Sequence, residues 1–283
     1  NANGVDYVAW NWDMGGTTAS NTSGSITSSV RANTTYGQSI VSYTGTGSAA
    51  TIGHGLASAP NLIISKKRDA AASWMVYHSS MGATKYILLS SPNAEGTSSG
   101  PWNDTNPTST VYSVLSSGGV NTSGASYIAY CFSDVTGYSK FSSYNGNGST
   151  TGPVVTLGFS PAFVMIKSTS ASRSWIMYDN TRQPSNPKDL RVLAEQSDAE
   201  FDGNEYITFT ETGFEIQTAG TITNGSGETY IYAAFADTRE YAYWYDQSGN
   251  NNDWTSEGGL TESDVMVDSP TNNFATLNSI VEG

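Results

Sequence analysis

The two histidines, His54 and His78, are the first candidates for catalysis, because imidazole is the side chain that most readily exchanges a proton near neutral pH. Both lie in the first of two similar stretches of the chain, where the second stretch has Val155 and Asp179. A general base at either position would therefore be missing from the second copy. Neither histidine belongs to a Gly-x-Ser-x-Gly nucleophile motif or a His-Glu-x-x-His zinc motif. We expect both to be surface or turn residues.

Several carboxylates are close together in the second half of the chain. They are Asp179, Asp198, Glu200, Asp202 and Glu205. A pair of carboxylates at the right separation hydrolyses glycosidic bonds, and sequence spacing in a loop-rich region does not set that separation. With the amides of Asn180, Asn186 and Asn204, the same oxygens could bind Ca²⁺, although no twelve-residue calcium loop is present. The favoured interpretation is a solvated acidic face in a protein that is not an enzyme and carries no cofactor, with calcium as the alternative.

Aromatic rings on loops are the best candidates for binding, because they stack on sugar faces and fill pockets of partner proteins. The predicted ligand-binding residues are Trp102, Tyr243, Trp244, Tyr245 and Trp254. Trp74 and Trp175, in contrast, occupy the same place in two repeated strands, which predicts core packing.

The basic run at residues 66–68 ends a predicted strand. Its favoured interpretation is a solvated strand edge that discourages the addition of another strand. Contact with an anion is the alternative.

Composition excludes several classes of protein. The 283 residues have a net charge of −13, whereas binding to nucleic acid requires a basic surface. The one cysteine, Cys131, rules out an intrachain disulfide and is predicted to be a small core residue. No apolar stretch is long enough for a membrane helix, so membrane insertion is not expected.

The strands that position these residues are organised around a motif that occurs three times in the sequence, at residues 1–12, 121–132 and 224–235. Each copy is a polar turn followed by an aromatic and β-branched run, which is typical of a tight connection into a buried strand. The intervening units keep a constant offset of 101 residues. The landmarks are Tyr43 and Tyr144, Pro60 and Pro161, Lys66 and Lys167, and Trp74 and Trp175.

This repetition predicts an all-β fold of tandem antiparallel β-sandwich repeats of about 100 residues, with long loops and an extended C-terminal segment. The apolar runs at 61–66 and 162–167 are predicted to be central strands covered on both faces. The long loops at 90–107 and 180–204 are where binding is expected. The predicted domains are residues 1–24, the last strand of a truncated repeat plus a linker; 25–137 and 138–240, the two repeats; and 241–283, an aromatic, extended segment leading to a possible further domain.

The strand motifs at residues 39–45, 59–64, 73–78 and 127–132 resemble a repeat found in virion proteins of tailed bacteriophages, especially marine ones. Residues 268–278 resemble a signature that precedes a lectin-like or SPRY-like β-sandwich in such proteins. The resemblance implies a place on the virion exterior and provides no catalytic residues.

The resulting expectation is a non-enzymatic virion structural protein of the tail-fibre or appendage type, which attaches the particle to its host through glycan binding. The alternatives are a capsid-decorating or purely architectural fibre protein, and a polysaccharide depolymerase tailspike. The expected partners are other virion proteins and a host-surface glycan or receptor, with a homotrimer as the plausible assembly.

Overall fold

The computed structural model describes residues 7–203 and 205–236, and these residues are almost entirely β-structure. Ten strands precede residue 133: β1 (Ala19–Asn21), β2 (Ser28–Asn33), β3 (Gln38–Thr44), β4 (Ala50–Gly53), β5 (Leu62–Lys67), β6 (Met75–His78), β7 (Lys85–Leu88), β8 (Gly96–Thr97), β9 (Val111–Val114) and β10 (Ser126–Phe132). Eight follow: β11 (Ser139–Asn145), β12 (Val154–Thr156), β13 (Pro161–Ser168), β14 (Ile176–Asp179), β15 (Val192–Leu193), β16 (Ile207–Thr210), β17 (Gly213–Ile216) and β18 (Thr229–Ala236). The helices found in the described residues, α1 (Ser99–Trp102) and α2 (Thr221–Asn224), have four residues each.

Each repeat is built from one large and one small antiparallel sheet. The large sheet of the first repeat has the order β1-β2-β3-β10-β5-β6-β7-β8, and β4 and β9 form its small sheet. The second repeat pairs a large sheet, β11-β18-β13-β14-β15, with a small sheet, β12-β17-β16. A separate apolar core fills the space between the sheets of each repeat. The predicted all-β fold of antiparallel sandwiches is confirmed.

The two large sheets share the same strand order and register. The order β3-β10-β5-β6-β7 corresponds to β11-β18-β13-β14-β15. Tyr43 pairs with Tyr127 across the first sheet, and Tyr144 pairs with Tyr230 across the second. The rings of each pair stack, with centroids 5.3 and 5.2 Å apart. The hydroxyls of Tyr127 and Tyr230 each donate to a backbone carbonyl nine residues earlier, which fastens the preceding turn to the strand.

The asparagines that open the second and third copies of the motif, Asn121 and Asn224, are buried and hold the turn together through hydrogen bonds. The Asn121 side-chain oxygen accepts from the Thr46 backbone N–H at 2.7 Å, and that of Asn224 accepts from Asn147 N–H at 2.8 Å. Each amide nitrogen also donates to the carbonyl two residues beyond that partner. Both asparagines are fully buried, so these bonds satisfy polar groups that water does not reach.

Replacing Asn224 by alanine is expected to lower the free energy of unfolding by about 2 kcal/mol, because it leaves buried backbone groups without partners. Asn121→Ala is expected to have a similar effect, because the turn is the same. Urea denaturation measures both changes. Asn93→Ala, at an exposed position, is the control. Equal midpoints for Asn224→Ala and the control would contradict this account of the turn.

A third apolar cluster joins the outer faces of the two large sheets. Phe132 and Leu62 from the first sheet meet Phe235, Phe141 and Met165 from the second. The central strands β5 and β13 are therefore covered on both faces, as their apolar runs predicted. Cys131 is fully buried in the first core, as predicted.

The start of the chain differs from its prediction. Residues 7–12 form no strand, and Trp12 packs instead against Phe132, Phe163 and Phe235 at the junction of the two large sheets. Residues 13–33 are rich in Gly, Ser and Thr with little periodicity, which predicts a linker. In the structure they contain β1 and β2, which extend the first large sheet beyond β3. The many Ser and Thr residues of this stretch obscured the alternation that marks a strand with one buried face.

The predicted boundary between residues 137 and 138 lies immediately before β11. Both repeats fall within one compact unit that ends at Asp237. The predicted segment 241–283 lies outside the described residues.

Candidate functional site

Trp102 is a core residue, so the prediction that it is an exposed binding ring is wrong. It ends the short helix α1, where the Ser98 side chain caps the first turn, and only 1% of its surface is exposed. Its ring meets the edge of Tyr77 with centroids 5.8 Å apart. A ring buried in this way cannot stack on a sugar. The other four predicted binding residues, Tyr243, Trp244, Tyr245 and Trp254, lie outside the described residues.

Both histidines are buried, so the prediction of surface or turn positions is also wrong. His54 and His78 are 0% and 1% exposed. In each ring Nδ1 accepts from the backbone N–H two residues later, and Nε2 donates to a carbonyl. This arrangement requires neutral imidazole, and burial lowers the pKa of both, to about 4 for His78. Each histidine links two backbone segments through hydrogen bonds, and neither ring is accessible to a substrate.

The carboxylates predicted as a possible acid–base pair or calcium site are mostly held by arginines and hydroxyls. Burial alone would raise the pKa of Asp179, but hydrogen bonds and charge from Arg182 lower it. Arg182 also pairs with Glu200. Burial raises the pKa of Glu205, which accepts from the Thr223 hydroxyl at 2.8 Å. Within residues 7–203 and 205–236, no group of three or more His, Cys, Asp or Glu side chains could hold a metal ion.

The basic run at residues 66–68 does not lie at a sheet edge as predicted. Its strand, β5, is flanked by β10 and β6. Lys66 lies with its ammonium 5.6 Å from the centroid of the Trp74 ring, and Trp74 stacks on Tyr130. Trp74 is only partly buried, unlike Trp175, which is 2% exposed. The predicted core position is thus correct for Trp175 alone.

A shallow polar groove of about 350 Å³ crosses one end of the first large sheet. It is lined by Ser20, Thr27, Ser28, Ser29, Ser42, Tyr43, Thr44, Arg68, Ser126 and Tyr127. The register aligns Ser29 with Ser42 and Thr44 with Ser126, so hydroxyls from three adjacent strands lie side by side. Arg68 is exposed next to them. The groove offers many hydroxyl donors and acceptors together with the guanidinium group of Arg68. This combination suits a hydroxyl-rich ligand.

The groove was not predicted, because β1 and β2 were assigned to a linker. Only the basic residue was singled out, as a possible anion contact. The useful signal was the alternation at residues 28–33, where Ser28, Val30 and Ala32 point inward and Ser29 and Arg31 outward.

The second concave feature is an apolar cavity of about 400 Å³ between the two large sheets. Its wall contains Ile64 and Phe132 from the first sheet and Phe163 and Met177 from the second, with Trp12 at its margin. No charged side chain lines it. It is suited to packing and offers little to orient a polar substrate.

Comparison with known proteins identifies a family for this chain. The family described as Domain of unknown function (DUF7483) matches residues 1–239. The chain belongs to the DUF7483 family. No curated protein and no solved structure matches it.

In this DUF7483 chain the matched region contains both repeats, the polar groove and the apolar cavity, and it ends three residues after β18. None of the helices in the described part of the chain is long and apolar enough to cross a membrane.

Proposed function

We propose that this DUF7483 chain is a non-enzymatic structural protein on the exterior of a bacteriophage virion, where it attaches the particle to its host by binding a surface glycan. The polar groove of the first repeat carries the proposal. Other virion proteins and the host glycan are its proposed partners, and the homotrimer remains a proposed assembly.

The chemistry of the groove supports glycan as the ligand. Sugars present rows of hydroxyls, and the groove presents rows of Ser and Thr hydroxyls from β2, β3 and β10. The hydroxyls of Tyr43, Tyr127 and Ser28 donate inward to the carbonyls of Val120, Gly118 and Gly53. The groups left for a ligand are therefore the other small hydroxyls and Arg68. An open groove of this kind accepts an extended chain, and a planar guanidinium favours glycans that carry carboxylates.

The position of the groove also supports recognition. A scaffold feature should recur in both repeats, whereas the groove depends on β1 and β2, which extend the first large sheet beyond β3. The corresponding strand of the second repeat, β11, has β18 on one side and ends the order of its sheet. The resemblance to virion proteins supports the location.

A purely architectural role is the second candidate. It is favoured by the apolar cluster that joins the two large sheets, because such packing makes the two repeats a stiff spacer. In that case glycan binding would be absent.

Ser42→Trp is expected to abolish or weaken glycan binding by at least about tenfold, because a large ring at this position fills the groove. The measurement is binding to host-derived polysaccharide by calorimetry or on a glycan array. Ser143→Trp is the matched control, since Ser143 occupies the equivalent position of the second repeat and is exposed.

Equal weakening by both substitutions, or binding that neither affects, would place the ligand elsewhere. No binding of the wild-type protein across a host panel would favour the architectural role. Release of reducing ends from the polysaccharide would instead indicate a depolymerase.

A further inference from the structure

The two repeats contain equivalent hairpins, which follow β6 and β14, the strands that begin one residue after Trp74 and Trp175. Hairpin 1 spans residues 86–96 and is closed by the pair Tyr86 and Gly96. Hairpin 2 spans residues 191–201 and is closed by Arg191 and Phe201, each 105 residues further along the chain. At the same offset, Asn-Ala-Glu at residues 93–95 becomes Asp-Ala-Glu at residues 198–200. The sequence and the closing pair both identify them as one repeated element.

Each hairpin is held against its own repeat by the same contacts. Leu89 N–H donates to the Trp74 carbonyl at 3.0 Å, and Ala194 N–H donates to Trp175 at 3.2 Å. The backbone N–H of each tryptophan donates to the next residue of the hairpin, the Ser90 hydroxyl or the Glu195 carboxylate. Both hairpins are therefore held in equivalent positions by contacts within their own repeats.

Hairpin 1 docks onto the second repeat. The Trp175 indole N–H donates to the Leu88 carbonyl at 2.8 Å, and the Lys167 ammonium donates to Pro92 at 3.1 Å. Glu95 N–H donates to the Thr169 carbonyl at 2.9 Å. Lys167 is 0% exposed, so the contact excludes water from its ammonium, and this burial lowers the pKa of Lys167 to about 8.

The equivalent contact surface of the first repeat remains open. Lys66 and Trp74, which correspond to Lys167 and Trp175, are only partly buried, and Arg68, which corresponds to Thr169, is exposed. Hairpin 2 is open as well, with residues 196–200 exposed at its tip. Among residues 7–203 and 205–236, one hairpin and one surface are thus docked on each other, and one further copy of each is at least partly exposed.

We propose that hairpin 2 of one copy of this chain docks onto the Lys66, Trp74 and Arg68 surface of a second copy, so that copies join head to tail. The charges of these two open partners are complementary. Hairpin 2 carries the exposed carboxylate of Asp198, whereas Glu195 accepts from the Trp175 backbone N–H and Glu200 is paired with Arg182. The surface carries three consecutive basic residues at 66–68. Such opposite charge raises the association rate and selects this pairing over contact between like surfaces.

A head-to-tail contact uses two different surfaces, hairpin 2 of one copy and the basic surface of the next. After two copies have joined, one hairpin 2 and one basic surface are still available for further copies. Such a contact forms a closed ring when the rotation between copies closes and an open filament when it does not. A trimer is one such ring.

The experiment measures the mass of the full chain by analytical ultracentrifugation over a range of concentrations. We expect the wild-type mass to rise above that of the monomer, and Trp74→Ala to weaken association by at least about tenfold. Arg68→Glu and Asp198→Lys, both at exposed positions, are each expected to dissociate the assembly. Lys140→Glu is the control for the change in net charge.

Mixing the two charge-reversed variants provides the decisive arm. The Arg68→Glu chain retains hairpin 2 and the Asp198→Lys chain retains the basic surface, so the mixture is expected to associate although each variant alone is monomeric. A wild-type chain that stays monomeric at high concentration overturns the proposal. The proposal is also overturned if both charge-reversed variants still associate, or if mixing the two variants does not restore association. Trp74 lies outside the groove lining, so loss of association in Trp74→Ala with retained glycan binding separates this proposal from the glycan proposal.

Discussion

Phe235→Ala is expected to lower the free energy of unfolding by about 3–5 kcal/mol, the range for removing a buried phenylalanine ring from a core. Phe235 is 6% exposed at the junction of the two large sheets. Its ring lies within 5.3–6.2 Å, centroid to centroid, of five other aromatic rings: Trp12, Phe132, Tyr138, Phe141 and Phe163. Removing it takes contacts from both repeats and from the N-terminal segment together.

Chemical denaturation monitored by tryptophan fluorescence measures this loss. Val154→Ala is the control, because Val154 is 70% exposed and its change is expected to stay within about 0.5 kcal/mol. A loss below about 1 kcal/mol for Phe235→Ala would mean that the sheet junction contributes little to stability.

The second large effect is a loss of stability as the pH falls from 6.5 to about 4, to which His78 contributes up to about 3 kcal/mol. Burial lowers the pKa of His78 from 6.5 to about 4. Above pH 6.5 the imidazole is neutral in both the folded and unfolded states and contributes no pH dependence. Between these values the unfolded chain takes up a proton that the folded chain does not, which favours unfolding.

Replacing His78 by glutamine tests this assignment, because glutamine does not titrate. The absolute stability of the variant is not the readout, since the hydrogen bond from His78 to the Tyr232 carbonyl at 3.2 Å also changes. The readout is the slope of unfolding free energy against pH between 6.5 and 4.5, which is expected to become flatter. His54 contributes to the same slope, because burial lowers its pKa too.

Asp179 and Glu228 act at lower pH, whereas burial raises the pKa values of Glu205 and Asp134 toward this window, where their effect on stability has the opposite sign. These carboxylates are the same in the wild type and in His78→Gln, so their contribution cancels when the two slopes are compared. The pKa values of Asp179 and Glu228 are held below their usual range, chiefly by the hydrogen bonds of Arg182 and Arg173 against the opposing effect of burial. Their stabilisation is present above their unfolded pKa and is lost as the pH falls through the folded value. An unchanged slope in His78→Gln would contradict the neutral, buried imidazole.

The candidate binding surface could not be predicted from the sequence. Hydroxyl residues in a Ser- and Thr-rich stretch carry a weak strand signal, so the sequence of residues 13–33 favours a linker. The groove exists only because β2 pairs with β3, and β3 pairs with β10 some 80 residues away in the chain. Arg68 alone was singled out, as part of a basic run.

Features that depend on local pattern and repetition can be predicted from the amino-acid sequence alone. Alternation and apolar runs identified the main strands, and the offset of 101 residues predicted two equivalent sandwiches with covered central strands. Which side chains are buried, in contrast, follows from the tertiary fold. Trp102 is covered by Tyr77, and His78 is covered by the second repeat. Burial depends on partners that are distant in the chain, and no local pattern encodes them. For the same reason, only the structure distinguishes the two tryptophans. Hairpin 1 covers the ring of Trp175, whereas Trp74 is only partly buried.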